Sequence, residues 1–372
     1  VLRGFPGLGR VIAGVELVRE FQDNYNAKCR VYSYMSGWNY IQHFEGVDAR
    51  QVGTQNLSCI GLVPVSTDGE ALIDDLEDWR PDILICDGEP LLTREFRLLF
   101  PTSVIIVLLN PYDLDNPNSQ RSTQIFFSDY FSNADIAIVH GLKKVRDDFG
   151  FKKFYSINTI LRPEVMSLAP AKSANNISCI LGGGSQHTDI SFVESTLQAA
   201  QNCAKNVISN RNEHLNIYCS SQDMATRLVA LSYDDRISIH PHIATPAELF
   251  KDTNLCFVRG GRNTLSEVLY LGIPTLAFAS SGVHRGSEQS NNIRHVETLS
   301  KGKICSVSSN LDAEEFLNST GLVEMNASQT VDWSPGNIAL KEILNQKPDM
   351  NSRITARSEI DPFPVKVIKF KI

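Results

Sequence analysis

The fold of this chain is decided by one stretch, Val258-Arg259-Gly260-Gly261-Arg262-Asn263-Thr264-Leu265-Ser266-Glu267. The apolar run from Asn254 to Val258 predicts a strand, the glycine pair predicts a tight turn, and the residues after the pair predict a helix. Leu271-Gly272-Ile273-Pro274 then ends that helix and leads into the next strand. Amide groups at the start of such a helix bind a diphosphate well, because they are unpaired and lie at the positive end of the helix dipole.

Polar residues that suit a bound sugar follow this turn. Glu267 can accept hydrogen bonds from ribose hydroxyls, and Glu288-Gln289, after the predicted strand Thr275 to Ala279, offers both acceptors and donors. A simpler interpretation treats Thr264 to Glu267 as a capping box, in which the glutamate only satisfies the start of the helix. Both interpretations of Glu267 stay open on these residues alone.

A second glycine-rich turn lies upstream. Ile177 to Leu181 predicts a buried strand that runs into Gly182-Gly183-Gly184-Ser185-Gln186-His187-Thr188, and a helix follows. Three glycines let the backbone approach a ligand closely, and the two hydroxyl side chains of the turn add hydrogen-bonding groups. The turn has neither the Gly-Lys-Ser/Thr of a Walker loop nor a G-x-G-x-x-G pattern. The alternative is a flexible turn without a ligand.

Together the two turns resemble the donor half of GT-B glycosyltransferases, most closely the branch with the peptidoglycan N-acetylglucosaminyltransferase that makes lipid II. Gly183-Gly184-Ser185-Gln186 matches the Gly-Gly-Ser-Gln loop of that family residue for residue. The resemblance implies an α/β fold of two Rossmann-like domains facing across a cleft. It implies that Glu267 binds ribose, that Glu288 and Gln289 bind the sugar, and that the backbone at Ile243 reads uracil. The other expected donor-binding residues are Gly183, Gly184, Ser185, Gln186, Arg259, Gly261, Asn263, Thr264 and His284.

The N-terminal half begins with another glycine-rich segment, Gly4-Phe5-Pro6-Gly7-Leu8-Gly9-Arg10, before a helix predicted from Val11 to Gln22. It resembles the family's first loop on the acceptor side, in which a histidine that often serves as the base stands where this chain has Arg10. Arginine stays protonated and is a poor base, but it can hold an anionic acceptor or a leaving diphosphate. Gly7, Gly9 and Arg10 are therefore the predicted acceptor-side loop. The missing methionine and the short first strand predict a native start upstream of residue 1.

Other candidates for the catalytic base lie where predicted strands end. The strand that begins at Pro81 runs into Asp87 and Glu89, and ligands of open α/β sheets gather at the carboxyl ends of strands. We therefore expect Asp87 or Glu89 to face the cleft, with a cap on the following turn as the alternative for Asp87. Asp113 and His140 follow two further predicted strands and are also candidates for the acceptor site.

Length and composition predict two domains of ordinary size. The 372 residues are 42% hydrophobic, and we divide them into an acceptor-binding domain at 1–165, a nucleotide-sugar-binding domain at 175–333, and a helix and tail at 334–372. The helix predicted over 334–345 is expected to cross back to the first domain, as it does in GT-B proteins.

The net charge of -7 argues against a nucleic-acid partner. The eight cysteines are scattered without zinc spacing, which predicts reduced thiols in a cytoplasmic protein. No run of the sequence is apolar enough to predict a transmembrane segment. The locally basic tail leaves a peripheral membrane contact open, and a homodimer is open as well.

The resemblance implies an inverting, metal-independent glycosyltransferase that takes a sugar from a UDP-sugar and needs no other cofactor. No D-x-D segment accompanies the donor turns, and helix-start amides can stabilise a leaving diphosphate in place of a metal ion. UDP is favoured over dTDP, which stays an alternative, because Glu267 suits a pair of ribose hydroxyls. A nucleotide-sugar hydrolase or 2-epimerase of the same fold, or a non-catalytic partner subunit, is the alternative function. The acceptor is not predicted.

Overall fold

In a computed structural model of the chain, the residues that the structure describes are 1–4, 8–44, 46–52, 67–116, 119–146, 149–168, 176–182, 190–219, 221–231, 234–280, 286–308, 314–315, 318 and 333–345. Helices and parallel strands alternate along both halves, which confirms the predicted α/β class. Among these residues, no helix combines the length and the apolar character that crossing a membrane requires.

The N-terminal half consists of α1 (Gly9–Tyr25), β1 (Arg30–Ser33), α2 (Met35–Ile41), β2 (Asp48–Gln51), α3 (Thr67–Trp79), β3 (Ile83–Asp87), α4 (Pro90–Leu99), β4 (Val104–Leu109), α5 (Pro111–Leu114), α6 (Arg121–Phe131), β5 (Ile136–His140), β6 (Phe154–Ile157) and α7 (Pro163–Met166). Its sheets are the parallel pair β1-β2 and the four parallel strands β3-β4-β5-β6. Val1 and Leu2 join these sheets, because the Leu2 amide donates to the Tyr32 carbonyl and the Asp87 amide donates to the Val1 carbonyl.

The C-terminal half consists of β7 (Asn176–Ile180), α8 (Ile190–Asn210), β8 (His214–Tyr218), α9 (Gln222–Leu228), β9 (Ile237–His240), α10 (Pro246–Phe250), β10 (Thr253–Arg259), α11 (Arg262–Leu271), β11 (Thr275–Phe278), α12 (Gly286–Ser300), β12 (Ile304–Ser306) and α13 (Asn337–Asn345). Its six strands are parallel and lie in the order β12-β11-β10-β7-β8-β9. The order reverses between β7 and β10. In open α/β sheets the crevice at the carboxyl ends of such strands is where ligands bind.

Each half has apolar side chains on both faces of its sheet. β4 has the sequence Val-Ile-Ile-Val-Leu-Leu and is buried at every position, as expected for a strand of a parallel sheet that helices cover on both sides. The last helix, α13, packs on the N-terminal half, where Leu340 and Ile343 join the buried cluster that contains Leu17 and Ile138. The chain therefore returns to its first half after completing the second sheet.

The ends of several elements differ from the sequence expectation. Helix α1 begins at Gly9 and continues to Tyr25, a turn beyond its apolar pattern, and Asn26 in the left-handed conformation ends it. Helix α13 begins at Asn337 and not at Ser334. Gly336, just before it, donates its amide to the Thr159 carbonyl oxygen and lies so close to Asn158 that a Cβ would come within 2.1 Å of the Asn158 carbonyl oxygen. The tail from residue 346 onward lies outside the described residues.

Candidate functional site

The turn between β10 and α11 has the predicted strand, glycine pair and helix. Gly260 is packed so closely against α12 that a Cβ would lie 2.8 Å from the Gln289 carbonyl oxygen and 2.9 Å from Ile293 Cδ1. Gly261 is the N-cap residue, so the helix begins at Arg262 and Thr264 is its third residue. Thr264 therefore does not cap the helix, and the capping-box interpretation of this stretch is wrong.

Glu267 forms a buried ion pair with Arg162, a residue that the sequence did not single out. The Arg162 Nε donates to Glu267 Oε1 and Nη2 donates to Oε2, both at 2.8 Å. The two side chains are 9% and 3% exposed. Burial lowers the pKa of Arg162 but the Glu267 charge outweighs it, so the pKa is raised. The predicted ribose carboxylate thus already has a partner for each oxygen.

Gly182, the last described residue before the first donor turn, lies beside the end of β10. β7 and β10 are neighbouring strands, and the backbone leaves β7 through Gly182, whose φ of 79° is in the left-handed region. The Arg259 guanidinium, at the end of β10, lies across this glycine, with its Nη2 3.0 Å from the position of a Cβ on Gly182. Arg259 therefore places a cation at the end of β7, beside Gly182. The predicted donor residues Gly183, Gly184, Ser185, Gln186 and His284, and the acceptor-side Gly7, lie outside the described residues.

Glu288 and Gln289 are neighbours in the chain, but their side chains have different surroundings. Gln289 is 5% exposed, and its Oε1 accepts from the Ser280 amide at 2.8 Å, so the residue holds the end of β11 in place. Glu288, in the first turn of α12, is half-buried, and its Oε1 accepts from Asn110 Nδ2 at 3.0 Å across the two halves. The predicted uracil contact, Ile243, is half-buried in the loop that leads from β9 to α10.

The start of α11 also contacts the N-terminal half. Asn263 Nδ2 and Arg262 Nη2 donate to the Gly9 carbonyl oxygen, at 3.1 and 3.4 Å, and Arg262 Nη1 donates to the His140 carbonyl oxygen at 2.7 Å. Burial and the neighbouring charge of Arg10 lower the pKa of Arg262 to about 10. Gly9 and Asn263, predicted on opposite sides of a cleft, are thus in direct contact.

Arg10 binds two aspartates at the ends of neighbouring strands. Its Nη1 donates to Asp87 Oδ1 at 2.9 Å, and its Nη2 donates to both oxygens of Asp113, at 2.6 and 2.8 Å. Burial opposes the charge on Arg10, but Asp113 and Asp87 outweigh it and raise the pKa. Gly88 makes room for the guanidinium, since a Cβ there would lie 2.3 Å from Arg10 Nη1. Arg10 is therefore a fixed cation with its charge compensated.

The expectation that Asp87 or Glu89 faces an open cleft is wrong. Both residues are 0% exposed, Asp87 as the last residue of β3 and Glu89 two residues beyond it. Glu89 accepts from the Tyr34 hydroxyl at 2.5 Å, and Asp87 is bound by Arg10. Burial raises the pKa of Asp87 against the lowering effect of Arg10.

His140 is also out of reach. It is 1% exposed at the end of β5, and burial together with the charges of Arg262 and Arg10 lowers its pKa well below the usual value, so the imidazole is neutral.

A cavity of about 330 Å³ lies above the ends of β3 and β4, with α12 of the other half at its edge. Its wall includes the side chains of Arg3, Arg10, Tyr112, Asp113, Phe127 and Glu288. Two of these, Asp113 and Arg10, come from the strand ends and the first loop that the sequence proposed for the acceptor. Apart from Glu288, the residues of its described wall belong to the N-terminal half.

Comparison with known proteins finds one matching family model and several solved structures of similar fold. Residues 178–332 match the model of the glycosyltransferase family 28 C-terminal domain. No curated protein matches the chain in sequence. Among solved structures, MurG of Acinetobacter baumannii is 14% identical with a TM-score of 0.54, covering 92% of this chain and 97% of that chain.

Two further solved structures contain bound molecules. The spinosyn rhamnosyltransferase SpnG, complexed with thymidine diphosphate, is 13% identical with a TM-score of 0.58 over 96% of this chain and 99% of that one. UGT2 of Phytolacca americana, complexed with UDP-2fluoro-glucose and pterostilbene, is 11% identical with a TM-score of 0.59 over 96% and 98%. At these identities the likeness is one of fold.

Proposed function

We propose that this chain, whose residues 178–332 match the glycosyltransferase family 28 C-terminal domain and whose fold is similar to that of GT-B glycosyltransferases, is an inverting, metal-independent enzyme that takes the sugar from a UDP-sugar. The observation that carries the proposal is the pair of glycine turns after β7 and β10. These strands are neighbours at the point where the strand order reverses, so the carboxyl ends of both strands lie at the usual ligand crevice of an α/β sheet.

Positive charge at this crevice suits a diphosphate. The amides at the start of α11 are unpaired helix donors, and Arg259 adds a guanidinium that reaches across Gly182. In an inverting transfer the acceptor attacks the anomeric carbon while the diphosphate leaves on the opposite side. Helix-start amides and Arg259 stabilise the charge that develops on the leaving oxygen, which is the work that a metal ion does in other enzymes.

Glu267 supports a ribonucleotide over a deoxynucleotide. A carboxylate has about four acceptor positions, and Arg162 occupies one on each oxygen of Glu267. The remaining positions accept the two ribose hydroxyls once the nucleotide displaces the surrounding side chains, since Glu267 is 2% exposed without a ligand. Thymidine diphosphate lacks one of these hydroxyls, so the ion pair favours UDP.

The proposal is tested by turnover of a panel of UDP-sugars and dTDP-sugars with mixed alcohol, phenol and lipid acceptors, followed by mass spectrometry and by NMR of the anomeric proton. A glycoside of inverted configuration that forms from a UDP-sugar supports it. Free sugar or an epimerised sugar from the donor alone would assign the chain to the hydrolase or 2-epimerase alternative. Binding of UDP without turnover of any donor would favour a non-catalytic subunit.

A further inference from the structure

The first loop carries Arg10 where a base is expected, so the proton of the acceptor must go elsewhere. The described wall of the cavity contains two carboxylates, Asp113 and Glu288, and one phenol, Tyr112. Both carboxylate oxygens of Asp113 accept hydrogen bonds from Arg10, and Oδ2 also accepts one from the backbone amide of Asn110. Burial opposes the charge of Asp113, but Arg10 outweighs it and lowers the pKa, so this carboxylate is a weak base. Burial raises the pKa of Tyr112, which keeps its proton.

The other candidate bases lie outside the wall of the cavity and are no better placed to accept a proton. Asp87 and Glu89 are 0% exposed and are bound by Arg10 and Tyr34. His140 is 1% exposed at the end of β5 and does not belong to the described wall of the cavity. Among the described carboxylates and imidazoles, Glu288 is thus the one that lines the cavity and forms no ion pair with a described cation.

The neighbours of Glu288 hold it toward the cavity. Asn110 is the N-cap of α5, and its Oδ1 accepts from the Tyr112 amide at 3.1 Å. Since Asn110 Oδ1 accepts this hydrogen bond, the other end of the side-chain amide, Nδ2, faces Glu288. Asn110 Nδ2 donates to Glu288 Oε1 at 3.0 Å. One oxygen of Glu288 is therefore fixed by a neutral donor from the acceptor side. No cation among the described residues forms an ion pair with this carboxylate.

We propose that Glu288 is the general base of the transfer reaction, in the role that a first-loop histidine would otherwise have. The inference rests on the proposed function. A Glu288 carboxylate oxygen takes the proton of the acceptor O–H as the acceptor oxygen forms a bond to the anomeric carbon. The bond from that carbon to the diphosphate oxygen breaks, and its electron pair leaves with UDP. Asn110 is the positioning residue, since it acts through Glu288.

The test compares Glu288→Gln with Glu297→Gln, the same substitution on a half-buried glutamate of α12 that lies outside the described wall of the cavity, on the UDP-sugar that the wild type turns over. We expect Glu288→Gln to lower kcat by about 10²- to 10⁴-fold with the KM for the UDP-sugar unchanged and the acid limb of the pH–rate profile lost. Glu297→Gln keeps the wild-type rate. Glu288→Ala regains turnover with added azide, which attacks the anomeric carbon without a proton to lose.

Other outcomes separate this inference from the proposed function. If the wild type turns over a UDP-sugar and Glu288→Gln keeps more than about a tenth of kcat, Glu288 is not the base. A parallel loss of donor affinity and rate would instead assign Glu288 to sugar binding, and a Glu288→Ala enzyme that azide does not rescue would also overturn the role. If the wild type neither binds UDP nor turns over a donor, the proposed function has failed first.

Discussion

The buried pair of Arg162 and Glu267 gives the sharpest prediction about stability. Replacing Arg162 with methionine leaves the Glu267 carboxylate 3% exposed and without its two 2.8 Å partners. Removing one partner of a buried ion pair costs roughly 3–5 kcal/mol, because the remaining charge is left uncompensated. For a unit of about 150–250 residues each kcal/mol lowers Tm by about 2–4 °C, so we expect a fall of roughly 6–20 °C.

The assay is differential scanning calorimetry of Arg162→Met, Glu267→Met and the double variant. The double variant should be more stable than either single variant, because methionines at both positions leave no charge unpaired. Arg227→Met is the control, since its pair with Asp223 lies in the C-terminal half, as Glu267 does, at 3.6 Å and is 47% and 71% exposed. That substitution should move Tm by no more than about 2 °C. The reasoning is refuted if Arg162→Met behaves like Arg227→Met, or if the double variant falls by the sum of the single variants.

Three other perturbations have expected outcomes. Gly88→Ala, with a φ of 68° and a Cβ 2.3 Å from Arg10 Nη1, should displace Arg10 and lower both Tm and turnover. Gly150→Ala, whose φ is 76° with no atom within 4 Å, should lose only about 1 kcal/mol in urea unfolding. Equal losses for the two variants would contradict the role of Gly88 in making room for the Arg10 guanidinium. Burial, and less so the nearby Glu164, raises the pKa of Glu16 from 4.5 to about 7 against the effect of Arg19. Between pH 4.5 and about 7 the folded state therefore binds more protons at Glu16 than the unfolded state does, so the free energy of unfolding falls as the pH rises through this range. Glu16→Gln should remove up to about 3 kcal/mol of this dependence, and parallel stability–pH curves for the two proteins would contradict it. Treatment with EDTA should leave UDP affinity and turnover unchanged, whereas a loss restored by Mg²⁺ would refute metal independence.

The sequence predicted the elements that carry the donor turns well. The run from Asn254 to Val258 and the glycine pair after it have strong local signals, so β10 and the start of α11 fall where the pattern placed them. Strands such as β4, with six consecutive apolar residues, are equally clear. Local periodicity and turn residues are sufficient for features of this kind, because the chain within a few residues determines them.

The partners of the site residues were harder to predict. Glu267 was expected to face a ligand, and its pairing with Arg162 joins residues 105 positions apart in the chain. Asp87 was expected at a strand end and does lie there, but its burial depends on how Arg10 folds over Gly88. Sequence spacing carries no information about such long-range contacts. One signal was available for Arg10, since the sequence has a cation in its first glycine-rich segment and aspartates after two predicted strands, and such groups form strong charged hydrogen bonds where the fold brings them together.

The most direct test of the donor site is a calorimetric titration of the wild type and Glu267→Gln with UDP, dTDP, GDP and ADP. The variant keeps the shape of the side chain and removes its charge, and Asp135→Asn, which loses a partly buried pair with Arg97 in the other half, is the control. We predict selective binding of UDP by the wild type and by Asp135→Asn, weaker binding of dTDP, and loss of UDP binding in Glu267→Gln. Equal binding of all four nucleotides, or none by the wild type, would contradict the account of the two glycine turns as a uridine-nucleotide site.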